Sequence, residues 1–138
     1  MLLELLAQCV RCTLGATFLM SGMAEISPEL NDELPFLQLF DEFSLVAPLL
    51  NYNVIHMESH ELYRILIGTT ELTCSVLILF GSGRSDAVAL SYFVLLCVMC
   101  MVVYTHVRLG NTLIFLSVPL VYLVMLALML KRSARGSH

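Results

Sequence analysis

Apolar residues run along this chain in four long stretches. The first covers Leu3 to Ala24 and is interrupted by Glu4 and Arg11. The second covers Glu61 to Phe80, with Arg64 and Glu71 inside it. The third, Ala87 to His106, carries no acid, Lys or Arg in its body, and the fourth, Thr112 to Leu130, is uncharged with Pro119 as a kink site. Each meets the length of roughly 20 mostly apolar residues that a helix needs to cross hydrocarbon. The pattern predicts an all-α membrane protein, one domain over residues 1–138, built as a bundle of four transmembrane helices. Glu4 and Arg11 stand where a signal peptide has its basic start, and the apolar stretch continues past Arg11, so the first run reads as a retained span.

The connections are unequal. Gly81 to Asp86 and Val107 to Asn111 are short turns, and residues 26–60 form the one long connection. Within it Pro28 follows Ser27, a helix start. Phe36, Phe40, Phe43 and Ala47 then recur at helical spacing, with Leu37 widening the stripe and Gln38, Asp41, Glu42 and Ser44 elsewhere around the helix. That predicts a short amphipathic helix, either a packing lid on the bundle or a surface that binds a partner.

Composition sharpens this picture. Of 138 residues, 59% are hydrophobic and 13% charged, with a mean hydropathy of +0.88. A soluble domain carries about 25% charged residues, so an ordinary globule, a disordered chain and a multidomain enzyme are excluded. The long connection holds Glu29, Asp32, Glu33, Asp41, Glu42 and Glu58 and no Lys or Arg, whereas Arg84, Lys131, Arg132 and Arg135 lie at the opposite ends of the spans. Lys and Arg accumulate on the cytoplasmic side. Both termini are therefore expected in the cytoplasm and the acidic loop in the lumen or exterior. The ending Arg135-Gly136-Ser137-His138 resembles the start of an affinity tag, and the orientation is the same without Arg135. No Lys/Arg cluster lies outside the tail, which argues against nucleic-acid binding. Membrane lipid is the expected surroundings, and homo-oligomerisation stays open.

Charges inside a span face the protein interior and seek partners, because a lone one costs roughly 2.5–3.5 kcal/mol on insertion scales. Counted from the cytoplasmic ends of their spans at 1.5 Å per residue, Arg11 and Glu71 reach similar depths. An Arg11–Glu71 core pair is predicted, either fixing helix register or forming part of a pocket. A second polar layer, Glu25, Arg64, His106 and Arg108, falls at the lumenal end; it is either interfacial snorkelling or a site, with His106 as a titrating member. Arg11, Gly15, Gly22 and Glu25 share one helical face, and the glycines allow close approach of a neighbouring helix. Gly15, Gly22 and Gly68, with the Phe36/Phe40/Phe43 stripe, are the candidates for contact with a client protein.

All five cysteines, Cys9, Cys12, Cys74, Cys97 and Cys100, fall inside spans. Cys9/Cys12 and Cys97/Cys100 are C-x-x-C pairs. Three uses compete: small apolar filler, a dithiol relay working with a quinone, and a four-thiolate metal site. The filler reading leads, with lipidation near the membrane edges as a further use. His56, Glu58, His60 and Glu61 have one metal-compatible spacing but no support beyond it. No metal or cofactor is expected, and no catalytic constellation stands out.

Arg11-x-x-Leu14-Gly15-x-x-Phe18-x-x-x-Gly22-x-x-Glu25-Ile26 resembles the first-span pattern of the DoxX-like four-helix membrane proteins. Gly68-x-x-Glu71 resembles their second-span motif, and His106 followed by Gly110 the third. The order of these landmarks covers residues 3–130. The likeness is nearest to the animal branch containing the nicotinic acetylcholine receptor chaperone and its paralogue, particularly over Tyr63 to Leu77. Glu25 stands where family members usually carry Lys, and the loop is acidic where the chaperone's is basic. The resemblance implies a multi-pass endoplasmic-reticulum protein, not an enzyme, that assists folding and assembly of pentameric ligand-gated receptor subunits. A membrane redox subunit using a quinone or dithiol is the alternative, and a small carrier using Glu71 and His106 a third.

Overall fold

A computed structural model describes residues 1–27, 59–82, 85–108, 110 and 112–135. It contains four helices, α1 (Leu2–Ile26), α2 (Ser59–Phe80), α3 (Asp86–Arg108) and α4 (Leu113–Arg135). No strand occurs among the described residues, so the protein is an all-α membrane protein. The helices follow the four apolar runs, and α4 continues through Pro119 past the end of its run. Among the described residues, three stretches are long and apolar enough to cross a membrane: Leu2–Ile26, Asp86–Arg108 and Leu116–Arg135. The apolar part of α2, Ile65–Phe80, is shorter. The loop helix expected around Phe36, Phe40 and Phe43 lies outside the described residues, as does Arg84.

Local chemistry sets the helix ends. The Ser85 hydroxyl accepts from the Val88 N–H at 3.3 Å, an N-cap for α3. Asp86 adds a negative charge to the first turn, where the helix dipole favours it. Past the other end of α3, Gly110 takes φ +66 and its N–H bonds Val107 O at 3.2 Å. That left-handed turn suits glycine because it has no Cβ.

The helices follow one another around the bundle. α1 packs on α2 most extensively, α3 on α4 next, and α2 on α3 less; α1 touches α4 only sparsely, and the diagonal pairs do not bring their backbones together. The core gathers Leu14 and Phe18 from α1, Cys74 and Ile78 from α2, Val88, Tyr92, Leu95 and Met99 from α3, and Leu126 from α4. Phe18 meets Tyr122 edge-on at 5.9 Å, and the Tyr122 hydroxyl donates to Thr17 at 3.3 Å, so the α1–α4 seam is closed in its middle.

The α1–α2 seam is a backbone contact. A Cβ added at Gly22 would stand 2.7 Å from Gly68 O, and one added at Gly68 would stand 3.0 Å from Gly22 O. Glycine is required here because any side chain would push the helices apart. The register is staggered, however. Gly15 lies against Leu79, almost at the end of α2. Leu2–Val10 therefore extends past α2 by about 13 Å of helix. That extension meets the end of α4 instead, where Glu4 pairs with Arg132 at 2.7 Å.

Candidate functional site

The stagger decides the partners of Arg11. Its Nε donates to Ile78 O at 2.5 Å and its terminal nitrogen donates to Gly81 O. A helix leaves its last four carbonyls unpaired, and Arg11 satisfies carbonyls at the end of α2 as a cap supplied by another helix. The structure does not bring Arg11 and Glu71 together. Matching depths from the span ends assumed that α1 and α2 end level, and α1 overshoots. Glu71 sits seven residues before Ile78, about 10 Å farther along α2, with Ser21 of α1 as its side-chain neighbour.

Glu71 is 3% exposed and its Oε2 has no hydrogen-bond partner. Glu25 is also buried and lies against Gly68, one turn from Glu71 along α2. Two carboxyl groups are thus enclosed in one helix seam. Of the expected lumenal layer, His106 is buried at the end of α3, while Arg108 is exposed, 6.0 Å above the Tyr104 ring in a cation–π contact. The Arg64 side chain lies outside the described residues. Gly15, Gly22 and Gly68 are all buried between α1 and α2. The face they form serves the chain's own helix pair, so no client helix fits there.

The cysteines are free, with Cys74 buried and Cys9, Cys12, Cys97 and Cys100 exposed. Cys9 and Cys12 lie on the outer side of α1, and Cys97 and Cys100 on the outer side of α3. These two helices sit diagonally across the bundle, their backbones apart and only core side chains between them. The two C-x-x-C pairs therefore cannot exchange a disulfide or share a metal within one chain. No group of three or more His, Cys, Asp or Glu among the described residues gathers as a metal site.

The middle of α1 turns small side chains outward, between exposed Leu5 and Leu6 on one side and exposed Met20 and Met23 on the other. Cys9, Cys12, Thr13 and Ala16 are exposed, opposite the buried Leu14, Gly15, Phe18 and Gly22. Thr69 and Thr73 are exposed in a similar row on α2. The threonine hydroxyls donate to their own helix, Thr13 to Cys9 O at 2.9 Å and Thr73 to Thr69 O at 2.8 Å. They are already satisfied without water, so these rows present small, locally neutralised surface to whatever lies alongside.

At the end of the bundle where α1 overshoots, the sparse α1–α4 seam opens into a cavity of about 530 Å³. Its lining includes Glu4, Gln8 and Arg11 of α1, Tyr92 of α3, and Arg132 and Ser133 of α4. Sequence reasoning missed this cavity. Its residues come from three helices and share no spacing; the available signal was Tyr92, a residue with a polar end in an otherwise apolar run.

A sequence profile of the family described as methylamine utilisation protein MauE matches residues 3–113. No protein with a curated description and no solved structure matches the chain. The match supports a multi-pass membrane protein and does not single out the receptor-chaperone branch of the DoxX-like resemblance. With the profile spanning α1 through α3, the chain belongs to the MauE family.

Proposed function

We propose that this protein is a membrane-embedded accessory factor that holds a client membrane protein during its maturation. In the form that best suits the geometry, it is an assembly chaperone that engages unassembled transmembrane helices. The observation that carries this reading is the outward row Cys9, Cys12, Thr13 and Ala16 on α1. Without a hydrophobic force between helices in lipid, association depends on close van der Waals approach, and small residues permit it. The four-span topology with both termini in the cytoplasm, the endoplasmic-reticulum location and a pentameric ligand-gated receptor as client belong to this proposal. They rest on the charge distribution and on the DoxX-like landmarks Arg11, Gly15, Gly22, Gly68, Glu71 and His106.

The test is co-expression with receptor subunits, scored by surface ligand binding. The protein should raise the number of assembled surface pentamers while staying behind itself. Thr13→Leu combined with Ala16→Leu should abolish the gain without lowering expression. An undiminished gain with that variant would remove the row from the account.

A second reading has one specific observation in its favour: the MauE family is tied to redox and cofactor-maturation pathways. In this form the client is a redox protein. Exposed Cys9 and Cys12 would then meet a partner's thiols, because Cys97 and Cys100 lie on the far side of the bundle. Cys9→Ser with Cys12→Ser separates the two. Loss of activity at normal expression favours the redox form, and retained activity favours the chaperone.

A further inference from the structure

We propose that the cavity between the ends of α1 and α4 binds a phosphate group, carried by the headgroup of an anionic lipid. The inference does not depend on the proposed function. Two features converge on it. Arg11 and Arg132 line the cavity, with Arg135 also in the lining and Glu4 as the opposing charge, so the lining is net positive. Two buried hydroxyls in the lining, Tyr92 Oη and Ser133 Oγ, have no hydrogen-bond partner. Tyr92 is 1% exposed and Ser133 6%, so both side chains are enclosed at the cavity wall. Unpaired buried hydroxyls are costly, and a phosphate oxygen is the acceptor that both would satisfy while the guanidinium groups balance its charge.

The place of the cavity selects the source of the phosphate. Leu2, Leu3, Leu5 and Leu6 are exposed on the same extension of α1 that carries Glu4 and Gln8. The cavity is thus bordered by apolar surface suited to acyl chains, as a lipid would need. A lipid phosphate would settle among the Arg and hydroxyl groups while its chains run along α1. Glu4 is the group that opposes it, since its carboxylate already occupies Arg132.

Native mass spectrometry of the full chain in detergent tests this with phosphatidylglycerol, phosphatidylcholine and inorganic phosphate as probes. Phosphatidylglycerol should bind in preference to phosphatidylcholine, and inorganic phosphate should compete only weakly. Tyr92→Phe removes an unpartnered hydroxyl, so the variant should melt no lower than the parent. It should nevertheless bind phosphatidylglycerol about 10-fold more weakly, as expected for a lost hydrogen bond to a charged group. Ser133→Ala should act in the same direction. Glu4→Gln should bind more tightly, because it frees Arg132. Inorganic phosphate binding as well as the lipid would keep the phosphate site and assign it to a soluble phosphate compound. Equal binding of the two lipids without phosphate competition, or unchanged affinity in both Tyr92→Phe and Ser133→Ala, would overturn the proposal.

Discussion

Removing the Arg11 guanidinium should loosen the end of α2. In the structure this side chain donates to Ile78 O and Gly81 O, two carbonyls near the end of a helix. A hydrogen bond to a charged group contributes about 1.5–3 kcal/mol, and a cation at a helix C-terminus about 0.3–1 kcal/mol more. The site is only half-buried, and solvent would recover part of the loss for the freed carbonyls. Arg11→Ala should therefore cost about 1–3 kcal/mol. Arg11→Lys should fall between, because an ammonium cannot reproduce the forked pair of donors. Unfolding of the purified protein by graded SDS in mixed micelles, followed by circular dichroism, measures the difference. A double-mutant cycle with Glu71→Ala supplies the decisive control. Since Arg11 and Glu71 are separated by about two helical turns, their effects should add within about 0.5 kcal/mol. A coupling of about 3 kcal/mol, as expected when one member of a buried ion pair is stranded, would refute the stagger and restore the pair.

Further outcomes follow from the same packing. Gly22→Ala should destabilise by about 1–3 kcal/mol, because its Cβ meets the Gly68 carbonyl, whereas Gly15→Ala should cost less, because its Cβ meets only the movable Leu79 side chain; the SDS titration ranks them. Glu4→Gln should change stability by no more than about 1 kcal/mol, since the Glu4–Arg132 pair is exposed; a larger loss in the same assay would mean that this pair locks the seam. Membrane-soluble maleimides should label Cys9, Cys12, Cys97 and Cys100 well ahead of Cys74, and mild oxidation should yield no Cys9–Cys97 or Cys12–Cys100 link within a chain. Peptide mapping reads both, and early labelling of Cys74 would contradict its placement in the core.

The helices were legible because long apolar runs have few other physical solutions, and the runs ending at Phe80 and beginning at Ala87 appear as α2 and α3 with a displacement of only a residue at the start of α3. Helix stagger was not legible from the span ends. The first run contains Leu3–Val10, which is apolar enough to count as span yet extends past α2. A better ruler was present in Gly22 and Gly68: setting them side by side places Arg11 opposite the last turn of α2. The glycine face was readable as a contact face, but periodicity does not say whether the facing helix belongs to the same chain. The burial of Glu25 and His106 follows the general rule that polar groups in spans turn inward. Tyr92 and Ser133 were invisible as a pair because only the folded arrangement of α3 and α4 brings them to one cavity.

The proposed chaperone role places a client helix on the outer row of small residues on α1. A photo-crosslinking amino acid placed at Ala16, in cells expressing receptor subunits, tests it most directly. The same probe at Cys97, on the outer side of α3, is the reference. A covalent adduct with an unassembled subunit should form from position 16 and none from position 97. Equal adducts from both positions, or none from position 16 while surface receptor still rises, would contradict it.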